Sequence, residues 1–243
     1  MNKKLMGIAA AAMLASGSSW AVSFGDVATD GVAIQSVLDS IATDGVNNVN
    51  ATTDYLSDGN DSYWSVGGSG GSISTIVVEL AGFANTNTFG IYDKVTAQHI
   101  QLFAGANDAG DQALVSILAD GSVYVNFADT GIDFAGNKFA YYLNANGQNL
   151  FYSDTDLNAD GVDHMAAYQG VGEEIEIAPF AAGPWGANEY ILAWEDLYGG
   201  GDRDFVDFVV LVESVTPVPA PATLALIGLG LIGMGFRARR KAA

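Results

Sequence analysis

The sequence predicts an all-β body, an antiparallel β-sandwich or jelly roll, set between an N-terminal signal peptide and a single C-terminal transmembrane helix. Three observations predict the body. Short runs rich in Val, Ile, Phe and Tyr recur between clusters of Gly, Asn and Asp, the punctuation of many short strands. Val123, Val125 and Phe127 alternate with Ser122, Tyr124 and Asn126, as on a sheet with one wet face. Helical spacing occurs once, in residues 32–42, where Ala33, Val37 and Ile41 share a face with Ile34 and Leu38.

The elements follow in order. Lys3 and Lys4 precede an apolar stretch from Leu5 to Ala15, and Ser19-Trp20-Ala21 offers small residues at the two positions that a signal peptidase reads. Residues 1–21 therefore read as a Sec-type signal peptide cleaved after Ala21. Residues 22–84 are expected to hold the one short helix and, across residues 44–72, long loops rich in Asn, Asp, Ser and Gly. A β-sandwich domain is expected over residues 85–214. The clearest strands are 73–80, 89–92, 100–103, 114–118, 123–127, 139–143, 190–194 and 205–212. Asp120-Gly121 signals a hairpin between two of them. The roughly 195 residues between the two processing points suffice for one domain with a sizeable core. No cysteine is present, so no disulfide supports it.

The tail, residues 217–243, has three parts. A proline motif, Pro219-Ala220-Pro221, leads into an uncharged apolar run from Ala222 to Phe236, which stops at Arg237, Arg239, Arg240 and Lys241. The run makes a helix of roughly 22 Å, short of the roughly 30 Å hydrocarbon core. Val218 to Pro221 and the arginine stems bring it close to a thin bilayer. The basic tip would stay in the cytoplasm and leave the body outside. A buried core helix with a solvated basic end is the alternative. The order of motif, helix and tip resembles the PEP-CTERM sorting signal of Gram-negative bacteria. The resemblance implies an exported protein held in the inner membrane until an exosortase removes the tail. Ala220 stands where that family usually has Glu.

Without the two ends the charge balance changes. Lys94, Lys138 and Arg203 face 28 acidic residues, which leaves the body at −25. Such a surface repels nucleic acid and attracts cations, so nucleic acid is excluded as a partner.

Two acidic clusters carry the candidate chemistry. The first runs Asp154, Asp156, Asn158, Asp160, Gly161, Asp163, His164. Alternating oxygen side chains before a glycine can wrap Ca²⁺, but Ala167 replaces the bidentate Glu of an EF-hand loop. An Asx-rich surface turn is the other possibility. The second cluster comprises Glu195, Asp196, Asp202, Asp204 and Asp207 around three glycines, with Arg203 the one cation among them. Bound Ca²⁺, joined by ligands from the first cluster, would relieve the repulsion, as would solvation with an Asp–Arg ion pair. Glu195-Asp196-Leu197 and Asp202-Arg203-Asp204-Phe205, followed by Asp207, closely resemble a domain of unknown function in secreted bacterial proteins. Residues 89–93 and 158–164 also look like segments of that family, which implies no activity.

Other catalytic signals are weak. Gly67-Gly68-Ser69-Gly70-Gly71 fits G-x-S-x-G but sits in a Gly/Ser loop. Two histidines and no cysteine leave little for a triad, zinc or a redox metal. Trp64, Trp185 and Trp194 would serve either as core or as a sugar-stacking surface. The expectation is a non-enzymatic cell-envelope or exopolysaccharide-matrix protein, sorted by an exosortase and stabilised by calcium. The alternatives are a calcium-dependent carbohydrate-binding or adhesive module and, third, a paired-carboxylate glycoside hydrolase.

Overall fold

The computed structural model describes residues 22–25, 33–68, 70–78 and 85–219. The signal peptide, the apolar run, Ala220, Pro221 and the basic tip lie outside them. Two antiparallel sheets pack face to face. The first places β15 (Val215–Pro217), β1 (Trp64–Val66), β8 (Lys138–Ala145), β3 (Thr88–Asp93) and β4 (Gln98–Phe103) side by side, with β9 (Asn149–Tyr152) also on β8. The second runs β10 (Met165–Gln169), β13 (Glu189–Trp194), β14 (Phe208–Glu213), β2 (Ser72–Val78), β5 (Gln112–Ile117), β6 (Ser122–Val125) and β7 (Ala128–Asp133). A small ribbon joins β11 (Glu174–Ile175) to β12 (Gly183–Pro184).

The side-chain period of two sorts the residues into three layers. Between the sheets, Tyr190, Leu192 and Trp194 of β13 and Phe208, Val210 and Val212 of β14 meet Trp64, Phe89, Ile91, Phe139 and Tyr141. The intervening Ile191, Ala193, Val209 and Leu211 face the other way, onto helix α1 (Ile34–Ile41). That helix buries Ile34, Val37, Leu38 and Ile41. A third layer, with Tyr63, Tyr92 and Tyr142, covers the far face of the first sheet. Trp64, Trp185 and Trp194 are fully buried, so all three are core.

The hairpin at Asp120-Gly121 forms as expected between β5 and β6, with Gly121 at φ 98°. A side chain there would strike the Phe134 carbonyl at 2.3 Å. The strand expected through Phe127 ends at Val125 instead. Asn126 and Phe127 both adopt positive φ and turn the chain tightly into β7, with Val125 opposite Ala128. Two such residues make the mirror-image turn that suits a right-handed sheet twist.

Two further boundaries shift. The strand expected from Phe205 begins at Phe208, because Phe205 sits at φ 57° and inserts its ring against Phe24, 5.1 Å away. The region expected to be all loop, residues 44–72, contains β1 and the short helix α2 (Asp58–Asp61). The boundary expected at residue 85 therefore divides a single sandwich: β1 lies between β15 and β8, and β2 between β14 and β5.

Candidate metal centre

β13, one strand in from the edge of the second sheet, ends at Trp194, and the next residue, Glu195, is fully buried. The chain then loops back through Leu197–Asp207 to start β14. Within that loop Gly199, Gly200, Gly201, Arg203 and Phe205 all have positive φ. Gly201 packs closely on the site: a Cβ there would lie 2.6 Å from Glu195 Oε2. The loop thus closes directly over the Glu195 carboxylate.

Glu195, Asp202 and Asp204 come together, with one carboxylate oxygen of each within 4.8 Å of the others. Glu195 has no exposed surface. Its Oε1 accepts the Phe205 N–H at 2.7 Å, and its buried Oε2 has no hydrogen-bond partner. Burial, reinforced by the charges of Asp207, Asp204 and Asp202, pushes the Glu195 carboxyl up to about 8. Burial likewise raises Asp207 to about 7, with Asp196, Asp204 and Asp202 adding to it. Carboxylates held this way have lost hydration without gaining a cation. Arg203 turns its guanidinium to Ser23 Oγ at 3.1 Å.

Asp196 and Asp207 do not join that trio. Asp207 accepts the Asp196 N–H at 2.9 Å, and Asp196 accepts the Asn87 amide at 2.9 Å. They brace the two ends of the loop. The loop in turn holds the N-terminal segment: Gly25 N–H donates to the Arg203 carbonyl at 2.9 Å, and Ile34 N–H to that of Asp204 at 3.0 Å. The second bond fixes the start of α1, which has no side-chain cap.

The first cluster is arranged differently. Asp154 accepts from Lys94 Nζ at 2.9 Å and from the Tyr63 hydroxyl. Asn158 donates to the carbonyls of Tyr152 and Val162 and accepts the Tyr152 N–H. Asp160 Oδ2 contacts His164 Nε2 at 2.9 Å and accepts the Gly199 N–H at 2.8 Å. Asp156 is exposed, and Asp163 is buried with Oδ2 unpartnered. Asn158 and Asp160 therefore act on their own backbone, as in an Asx turn. The bond from Asp160 to Gly199 docks the two loops, yet the first loop brings no carboxylate into the Glu195 trio. His164, missed as a structural residue, bridges both loops: it is fully buried, stacks on Phe151 at 3.7 Å and contacts the Glu195 carbonyl through Nδ1 at 3.1 Å.

Residues 108–215 match the family described as Domain of unknown function (DUF4114). Residues 217–241 carry the PEP-CTERM protein-sorting motif. The motif marks an exported protein that an exosortase sorts to the cell envelope. No curated protein and no solved structure matches the chain.

Proposed function

We propose that this protein is a non-enzymatic structural component of the cell envelope or of an extracellular polysaccharide matrix, stabilised by calcium at Glu195, Asp202 and Asp204. One observation carries the calcium reading: the buried, unpartnered Oε2 of Glu195 faces two further carboxylates under a glycine turn. A buried charge without a counter-charge is costly, and a hard cation supplies it without protonation. Oxygen-only donors on an irregular loop suit Ca²⁺ better than Mg²⁺, which demands a near-ideal octahedron. Complete burial also keeps Glu195 from a sugar chain, which argues against the paired-carboxylate hydrolase.

Calcium-dependent carbohydrate binding has one observation in its favour. Two of the body's three basic residues, Lys94 and Lys138, place Nζ 5.6 Å and 4.1 Å from the Tyr63 ring, beside a cavity of about 390 Å³. A glycan array with and without chelator tests it: calcium-dependent retention of an acidic sugar supports binding, and no retention removes it.

Sorting has its own test. The motif starts on the fold itself, since Pro217 pairs with Trp64 and Val218 N–H donates to the Tyr63 carbonyl at 2.7 Å. Deleting Val218–Ala243 should send the protein into the medium. Arg237→Glu, Arg239→Glu, Arg240→Glu and Lys241→Glu together should disturb anchoring, because that end would then cross the membrane more readily. Unchanged fractionation of both variants would remove the sorting account.

A further inference from the structure

Two of the three basic residues of the body converge on one ring, although their sequence positions are far apart. Lys94 follows β3 and Lys138 opens β8, and their Nζ atoms lie 5.6 Å and 4.1 Å from the centre of the Tyr63 ring. Both line the cavity of about 390 Å³ beside that ring. Lys94 pairs with Asp154 at 2.9 Å, whereas Lys138 forms no ion pair among the described residues. Asp93 also lines the cavity, but its oxygens are spent on Val95 N–H and the Thr96 hydroxyl, each at 2.9 Å, and on Ala135 N–H at 2.6 Å. The charge left without a partner is therefore the ammonium of Lys138. Arg203, the third basic residue, belongs to the loop of the Glu195 centre and turns to Ser23.

The same pocket borders the point where the chain leaves the fold. Lys138 stands opposite Ser65 and Ser65 opposite Thr216, so the three share one face of the first sheet in a single row. Two strand spacings, about 10 Å, separate Lys138 from Thr216. Val218 then donates its N–H to the Tyr63 carbonyl at 2.7 Å and packs into the cluster that contains Tyr63. Pro219 is the last residue described, and the apolar run begins at Ala222. Three residues reach at most about 11 Å even when fully extended. While that run lies in a bilayer, the face of the body around Pro219 is held against the headgroups. A body of charge −25 is otherwise repelled by an anionic surface, and the cations it has at this face are Lys94 and Lys138.

We propose that Lys94, Lys138 and Tyr63 seat the phosphate of an anionic lipid headgroup, a proposal that rests on reading residues 222–236 as inserted in the membrane. Lys138 supplies the unpaired charge. Lys94, steadied by Asp154, supplies a second ammonium on the same side, and lysine serves phosphate as a point charge. The seat holds the body upright on the membrane, with Pro219-Ala220-Pro221 at the surface where the tail is cut. The position of the pocket at the chain's exit favours a lipid over an acidic sugar as its occupant.

The experiment is native mass spectrometry of the full chain in detergent, with phosphatidylglycerol as the probe and phosphatidylcholine as the control. Wild type should retain one phosphatidylglycerol more than Lys94→Gln with Lys138→Gln, and Lys138→Gln alone should weaken that retention by tenfold or more. The basic tip binds such lipid equally in every variant, so the difference between variants reads the pocket. Lys138→Gln removes no ion pair and should melt with wild type. Inorganic phosphate should not displace the lipid. Equal retention in wild type and both variants would overturn the proposal, as would displacement by inorganic phosphate, which would make the pocket a free-anion site. Preferential binding of an oligouronide there would also overturn it and assign the pocket to an acidic glycan. Extraction of the wild-type chain from vesicles by alkaline carbonate would overturn the membrane reading and the proposal together. An inserted chain whose variants keep the lipid would overturn the proposal alone.

Discussion

Phe89→Ala should destabilise the sandwich by about 3–5 kcal/mol, a fall in melting temperature on the order of 10 °C. Phe89 has no exposed surface and touches four rings. Phe103 and Tyr141 lie 6.2 Å and 5.5 Å away in its own sheet, and Trp194 and Phe208 lie 6.0 Å and 5.2 Å away across the core. Removing its ring leaves a cavity where the sheets meet, and rigid strands cannot collapse into it. Phe89→Leu should cost less, since most of the volume stays. Thermal unfolding with calcium present checks both. A loss below about 1 kcal/mol for the alanine variant would mean that the aromatic layer does not hold the sheets together.

The second large effect is a stabilisation by calcium that grows with pH. In metal-free protein Glu195, raised to about 8, and Asp207, raised to about 7, keep their protons when folded at pH values where the unfolded chain has lost them. The folded state then binds more protons than the unfolded state. Metal-free stability should therefore fall as pH rises from about 4 toward 8, by up to about 1.4 kcal/mol per pH unit for each such group. Calcium competes with the Glu195 proton for the same carboxylate. Its benefit should be small at pH 5 and largest near pH 8. With a dissociation constant of about 10⁻⁴ M, typical of the tighter extracellular modules, 10 mM Ca²⁺ adds roughly 2.7 kcal/mol per site. Mg²⁺ at equal ionic strength is the control, because screening alone also helps a body of charge −25. A calcium-specific gain that is flat from pH 5 to 8 would separate the metal from these carboxylates.

What the sequence revealed depended on how local the cause was. The β5–β6 hairpin and α1 were legible because Asp120-Gly121 and the spacing of Ile34, Val37, Leu38 and Ile41 are complete signals within a few residues. β10 was not, because Met165-Ala-Ala-Tyr-Gln169 is buried on both faces and loses the alternation that marks a half-wet strand. β15 exists through pairing with β1, some 150 residues earlier. The turn at Asn126-Phe127 lacks the glycine that usually announces it. At the site, the density of carboxylates around three glycines pointed to Glu195, Asp196, Asp202, Asp204 and Asp207 alike, and only folding gathers Glu195, Asp202 and Asp204 from among them. Asp61 is buried while Asn60 beside it is exposed, and no local pattern encodes that difference. Phe205 looked like the start of a strand, but its backbone is set by the bond from its N–H to Glu195, ten residues away.

The same bond makes the Glu195 carboxylate the point on which the loop, the helix start and the proposed ion all depend. The most direct measurement is a crystal structure of the protein grown with saturating calcium, read by anomalous scattering. The account predicts one peak at about 2.3–2.6 Å from carboxylate oxygens of Glu195, Asp202 and Asp204, absent when Mg²⁺ replaces Ca²⁺. Contradiction would be a structure at saturating calcium with no anomalous density there and the Glu195 Oε2 bonded only to water or to a protein donor.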